Sequence, residues 1–432
     1  MLVALSECDA ATTARVGPKA ATLARLRRAG LPVPDGFVLD ADAYRAHVAP
    51  ARVDPSDDER PRALRRRLAC LRDPLDPAIV ESLVAAWERL AGAEGALVAV
   101  RSSALLEDST AASFAGQFET FLGIADARDL VTAVRACWAS LWSARALRYL
   151  GDRGLDPATT AMAVLVQRLV PARAAGGALS RMPDGGMLLT GAWGLGPTVA
   201  HGEVVPDRFR LAADGSLAAV EAGLKDCMVA CAGDGGLRAR PVAPTMAAIP
   251  CLDPGEAETL GRLVRAAEAV VGAPVEVEWA LDDTGFHILQ ARPLRLESPS
   301  AGDGAPSLGH PGLRGHPSGF GRAAGPACVV RSEGDLARVG FGAILVTRVA
   351  GPALAAVLPR VAGVVAELGG STSHLAALAR ERGIPAVLGV PAATRRIPDG
   401  VQVAVDGITG GVRWTLARRR EGAVITERQE EL

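Results

Sequence analysis

Three groups of side chains in this 432-residue chain have the types and spacing that chemistry requires. The first surrounds His374, in Glu367-Leu-Gly-Gly-Ser-Thr-Ser-His374-Leu-Ala-Ala-Leu-Ala-Arg-Glu-Arg-Gly-Ile-Pro. An apolar run, two glycines and an apolar periodicity at Leu375, Leu378 and Ala379 read as strand, turn and helix. Ser371 or Thr372 is the expected cap, and Gly383 with Pro385 the stop. His374 then lies in the first helical turn, where free backbone N–H groups and the helix dipole favour an anion. A neutral imidazole is nucleophilic near pH 7, so this one suits the carriage of a phosphoryl group. A histidine that only caps or packs fits the same local pattern.

The second group is Glu276-Val277-Glu278-Trp279-Ala280 followed, across the turn Asp282-Asp283-Thr284-Gly285, by Leu289-Gln290-Ala291-Arg292. Alternation puts Glu276 and Glu278 on one face of a strand, with Gln290 on the neighbouring strand. Two carboxylates and an amide oxygen suit a hard cation such as Mg²⁺, and Arg292 suits phosphate charge. A solvated hairpin face has the same alternation. The third group is compositional: of 47 basic residues only Lys19 and Lys225 are lysine. Lysine offers phosphate a compact point charge where arginine offers a planar fork.

Elements must bring these groups together. Short apolar strands at Leu97–Val100, Ala163–Val166, Val275–Val277 and His287–Leu289, with helices at Pro18–Ala29 and Pro77–Ala91, predict α/β or α+β structure over residues 1–296. Residues 297–318, rich in Ser, Pro, Gly and Ala, read as a linker. Strands at Ala343–Thr347, Gly363–Ala366, Ala386–Leu388 and Val401–Val405 predict a small α/β domain over 319–416. Residues 417–432 read as a charged tail.

Composition narrows the function classes. With 49% hydrophobic and 22% charged residues and a net charge of -1, the chain reads as globular, without the basic surplus of a nucleic-acid binder. It shows no uninterrupted apolar run of membrane-spanning length and no leader pattern, so no membrane partner is expected and the protein is read as cytoplasmic. Its seven cysteines lack paired spacing and are expected to be reduced, outside any disulfide or zinc site.

The stretch Gly369-Gly370-x-x-x-His374, with Ala379-Arg380-Glu381-x-Gly383-Ile384-Pro385-Ala386-Val387-x-Gly389 and later Asp406-Gly407-x-x-Gly410, resembles the phosphohistidine signature of the phosphoenolpyruvate-utilising enzymes. These include phosphoenolpyruvate synthase, pyruvate phosphate dikinase and rifampicin phosphotransferase. The N-terminal half resembles the ATP-grasp domain of the same family through Val16-Gly-Pro-Lys19-Ala-Ala-Thr-Leu23, Ala29-Gly-Leu-Pro-Val-Pro-Asp-Gly-Phe37 and Val98-Ala-Val-Arg101-Ser-Ser-Ala104. Glu107-Asp108, Ser113-Phe-Ala-Gly-Gln117, Met162-Ala-Val-Leu-Val-Gln167, Gly223-Leu-Lys225-Asp226 and the 276–293 hairpin extend the likeness.

The resemblance implies an ATP-grasp nucleotide domain joined by a flexible linker to a swivelling phosphohistidine domain. It implies ATP contacts for Lys19, Arg101, Gln167 and Arg292, Mg²⁺ ligands in Glu278, Gln290 and Glu276, and His374 as the phosphorylated residue. The implied reaction is of dikinase type: ATP phosphorylates His374, AMP and phosphate leave, and an acceptor takes the phosphoryl group. Pro197 stands where the family usually has an acid, and Leu179-Ser180 where Phe-Thr is typical. Family members carry acceptor-binding domains that have no counterpart in this sequence. The acceptor is therefore expected to be an unidentified small molecule or, alternatively, a separate acceptor-domain protein served by a relay subunit. A nucleotide binder without turnover is the third reading.

Overall fold

The structure, a computed structural model, describes residues 1–49, 59–92, 95–107, 114, 116–232, 236–294 and 312–415. Residues 297–311 of the expected linker, the tail 417–432 and the motif residues Asp108, Ser113 and Ala115 lie outside the described residues.

Alternating apolar residues build the first half around two large antiparallel sheets, beside a two-stranded one of Cys227–Cys231 and Leu237–Pro241. The first has the strand order Leu2–Ala4, Gly36–Leu39, Met162–Arg168, Val98–Ala104, Thr120–Ile124. The second runs Gly285–Pro293, Val275–Asp282, Ala174–Leu179, Met187–Trp193, Asp207–Leu211, Leu217–Glu221. The helices Thr13–Arg28 and Pro254–Val271 contribute Leu23, Leu26, Leu260 and Val264 to one apolar core that also takes Leu165 from the first sheet and Val277 and Trp279 from the second. The first helix is broken at Gly17, whose φ of 78° would place a Cβ 2.5 Å from Ser103 Oγ; Pro18 then opens the regular turns. The 18-residue helix has a capping box at Asp253 and Glu256 and ends at left-handed Gly272.

The C-terminal part is an eight-stranded sheet in the order Leu313–Arg314, Gly411–Trp414, Gln402–Asp406, Arg322–Val330, Ala343–Thr347, Val361–Ala366, Ala386–Leu388, His316–Gly319. The pairings from Arg322–Val330 through Ala386–Leu388 are parallel, and the flanking ones antiparallel. Both faces are covered, so along Ala343–Thr347 the side chains of Ile344 and Val346 enter one core and Ala343 and Leu345 the other.

Two expectations change here. Leu313–Arg314 and His316–Gly319, assigned to the linker on composition, pair as strands with Gly411–Trp414 and Ala386–Leu388. Gly and Pro are tolerated there because these are short edge strands. The helix carrying His374 is capped by Ser373, whose Oγ accepts from Ala376 N at 3.3 Å. Ser371 and Thr372 are committed elsewhere: Ser371 Oγ donates to Pro317 O at 2.8 Å, and Thr372 meets Thr190. All seven cysteines are free, five of them buried. Among the described residues no helix is long and apolar enough to cross a membrane.

Candidate active site

The hairpin of Val275–Asp282 and Gly285–Pro293 sets the geometry. Its register places Glu276 opposite Arg292 and Glu278 opposite Gln290, with an irregularity just after Glu278. Cross-strand neighbours are close enough to interact: Arg292 Nη2 lies 3.0 Å from Glu276 Oε2. Arg101, from the other sheet, reaches across. Its Nη2 lies 2.7 Å from Glu278 Oε2 and 2.9 Å from Gln290 Oε1, and its Nη1 donates to Leu289 O. The Arg101 guanidinium thus bridges the two sheets at the hairpin.

Lys19 stands on the first helix just beyond the break at Gly17. Its Nζ donates to Ser102 O at 2.6 Å and pairs with Glu107 Oε1 at 2.9 Å. Gln167, on the central strand of the first sheet, donates from Nε2 to Pro34 O at 3.3 Å. These residues and the hairpin line a single cavity of about 540 Å³ between the sheets, together with Arg101, Glu276, Glu278, Gln290, Arg292 and His374. The structure brings eight of the residues singled out in the sequence into one place, all but Lys225.

His374 reaches this cavity because the C-terminal domain is docked on it. Thr372 Oγ1 lies 2.5 Å from Thr190 Oγ1, and Gly369 N donates to Val204 O at 3.0 Å. Arg380 Nη2 lies 3.1 Å from Glu276 Oε2. At the far end of the same helix Glu381 accepts from Tyr149 and Arg153, and Arg382 pairs with Asp152 at 3.0 Å. Close approach also requires Gly177, where a Cβ would fall 2.5 Å from Thr372 Cβ.

Charge in the cavity favours an ionised acid, and burial favours a neutral imidazole. Burial raises the Glu278 carboxyl, but Arg101, then His374, Arg292 and Lys19, outweigh it and hold it below the usual range. For His374 burial is the largest effect; Arg292 and His201 add to it, Glu278 and Glu276 oppose it, and the imidazole falls to about 4. His374 is therefore an unprotonated nucleophile at neutral pH.

The oxygens of Glu278 and Gln290 converge on one Arg101 nitrogen, so a hard cation accepting both is sterically reasonable. Its remaining ligands would be phosphate oxygens and water, since among the described residues no group of three or more His, Cys, Asp or Glu side chains is arranged around a common point. Glu276 is instead engaged by Arg292 and Arg380.

Several residues were not found from sequence. Thr190, Tyr149, Arg153 and Asp152 matter through contacts across the docked interface and carry no local motif. Glu107 had a signal, lying next to the Arg101 segment, and its partner is Lys19. Lys225 is fully buried with Asp207, which also accepts from Gly223 N at 2.8 Å and Cys251 N at 2.7 Å. It does not line the cavity.

The family description "Pyruvate phosphate dikinase, AMP/ATP-binding domain" matches residues 13–307, and "PEP-utilising enzyme, mobile domain" matches residues 340–410. A probable phosphoenolpyruvate synthase of Methanothermobacter thermautotrophicus is 33% identical over 96% of this chain and 62% of its own length. The phosphoenolpyruvate synthase of Aeropyrum pernix is 32% identical over 96% of this chain and 57% of its own. A rifampicin phosphotransferase of a Streptomyces species is 36% identical over 68% of this chain and 36% of its own. This chain spans about three fifths of the length of the two synthases. The chain belongs to the pyruvate phosphate dikinase AMP/ATP-binding family, with a nucleotide-binding domain and a mobile domain of mixed α/β structure.

Proposed function

We propose that ATP bound in the 540 Å³ cavity phosphorylates His374, and that the mobile domain then carries the phosphoryl group to an acceptor. The observation that supports this reading is the placement of His374, unprotonated, in the cavity that holds Lys19, Arg101 and Arg292. Nucleophilic catalysis of this kind separates donor and acceptor chemistry in time and space.

Lys19, Arg101 and Arg292 receive the phosphates, and Gln167 stands by the rest of the nucleotide. Glu278 and Gln290 would hold Mg²⁺, with Glu276 joining when Arg380 withdraws; the ion would neutralise phosphate charge. Release of AMP requires attack by the His374 nitrogen on the β phosphorus. The N–P bond forms as the bond to the α-phosphate oxygen breaks, and that oxygen keeps the electron pair. The γ group then passes to water as phosphate, leaving one phosphoryl group on His374. The arginines offset negative charge as it moves between oxygens.

Delivery of the phosphoryl group to an acceptor away from the cavity needs the contacts of Gly369, Thr372, Arg380, Glu381 and Arg382 with the nucleotide half broken. The relatives' names mention phosphoenolpyruvate and rifampicin; for this chain we propose a small-molecule acceptor bound against the His374 surface once the domain has swung. The test uses radiolabelled ATP with Mg²⁺ and the purified chain. Acid-labile, base-stable label on wild type that is absent from His374→Ala supports the reading, and ATP binding without label overturns it.

A further inference from the structure

Next to His374 stands a second histidine for which the phosphoryl reading has so far supplied no role. His201 follows the short helix Pro197–Ala200, whose first residue is the proline found in place of the family's usual acid, and its backbone N donates to Pro197 O at 2.8 Å. The side chain lines the same cavity as His374. The two imidazole centroids are 5.9 Å apart with the rings tilted by 44°.

Two further observations give this neighbour a function. Glu203 Oε1 lies 3.7 Å from His201 Nδ1, beyond hydrogen-bonding distance, so the ring is not held by its neighbour and its Nε2–H tautomer presents a donor to the cavity. The turn that follows is also the seat of the mobile domain, since Val204 O accepts from Gly369 N at 3.0 Å. His201 therefore meets His374 in the docked state, at the moment of transfer.

We infer that His201 contacts the phosphoryl group as it arrives on His374, donating a hydrogen bond from Nε2 to a non-bridging oxygen. Building on the phosphohistidine reading, this adds a second imidazole to the transfer site. The covalent balance is unchanged: the His374 nitrogen gains the N–P bond, the leaving oxygen keeps the P–O electron pair, and His201 keeps its proton. Such a bond to a doubly charged group strengthens as charge spreads over the transferring oxygens. The cavity wall that carries Pro197 in place of a carboxylate thus offers the phosphate a donor in place of an acceptor.

Single-turnover labelling of His374 from radiolabelled ATP tests this with His201→Gln, which keeps a side-chain N–H, and His201→Leu, which keeps only the volume. Equilibrium ATP binding measured alongside shows that each variant folds. Labelling slowed by about 10- to 100-fold in the leucine variant, and at least about tenfold faster in the glutamine variant than in the leucine one, is expected if the hydrogen bond is made. Leucine labelling at the wild-type rate, or leucine and glutamine slowed equally, overturns the proposal. If wild type itself takes no label, the phosphohistidine reading fails first, independently of His201.

Discussion

Arg380 and Arg292 share one oxygen of Glu276: the Nη2 atoms of the two arginines lie 3.1 and 3.0 Å from Glu276 Oε2. Arg292 belongs to the nucleotide half, whereas Arg380 rides on the helix that carries His374. Arg380 also donates to Ser318 O and Ser371 O. One guanidinium thus ties the turn before His374, a neighbouring strand and the cavity acid together.

Replacing Arg380 with lysine keeps the charge but removes the fork that makes these bonds simultaneously. We predict a loss of roughly 1.5–3 kcal/mol of docking free energy, read as a fall of about 10- to 100-fold in the rate of His374 labelling. ATP affinity should stay within about threefold, since Arg380 is not among the cavity-lining residues. A variant that labels normally would show that the shared carboxylate does not hold the domain.

Steric blockade gives a second prediction. In Gly177→Ala the new Cβ would sit 2.5 Å from Thr372 Cβ, closer than real Cβ contacts allow. The backbone at Gly177 is ordinary extended strand, so the alanine is tolerated until the domains close. Labelling of His374 should fall at least about tenfold while equilibrium ATP binding persists. Equal loss of both would locate the defect in the strand itself.

The docked histidine makes closure pH-dependent. His374 sits at about 4 when docked, facing Glu278, Arg292, His201 and Glu276, and returns toward the ordinary 6.5 when the domain swings out. A depressed pKa means that docking is fully available above about 6.5 and is lost as pH falls toward 4, by up to about tenfold per pH unit. His316, held at about 4 chiefly by burial beside Arg208 with Glu221 opposing, acts in the same direction at the interface. The radius of gyration from solution X-ray scattering should increase between pH 7 and pH 5, and less steeply in His374→Gln. A flat profile would contradict coupling between protonation and closure.

Lys225 has a structural role. It and Asp207 are both fully buried, and removal of one member strands the other's charge at a cost of about 3–5 kcal/mol. Lys225→Met should lower the unfolding temperature markedly, measured by calorimetry, with the ATP affinity of the remaining folded protein little changed. Loss of affinity with unchanged stability would instead place Lys225 in nucleotide binding.

How much of this was legible in the sequence depended on how locally each feature is encoded. Ala343–Thr347 and Ala386–Leu388 were located end to end because buried parallel strands leave unbroken apolar runs. The hairpin acids and Gln290 were placed together because alternation and a turn suffice. The strands at 313–319 were hidden, since glycine- and proline-rich edges look like linkers. The cap moved to Ser373 because Thr372 is drawn to Thr190, 182 residues away in sequence. The Tyr149–Glu381 contact spans 232 residues and has no periodicity to betray it. Nothing in the sequence around Lys225 marks its burial, because its partner Asp207 lies 18 residues away, on the strand Asp207–Leu211.

The central claim is that His374 takes its phosphoryl group from ATP in this cavity, with AMP as the nucleotide product. The most direct measurement compares ATP labelled at the β phosphorus with ATP labelled at the γ phosphorus, following acid-labile label on the protein together with AMP. We predict stable label from the β position, absent in His374→Ala, with AMP released in equal amount and γ label recovered as inorganic phosphate. Lasting protein label from the γ position, with ADP as the nucleotide product, would contradict the account.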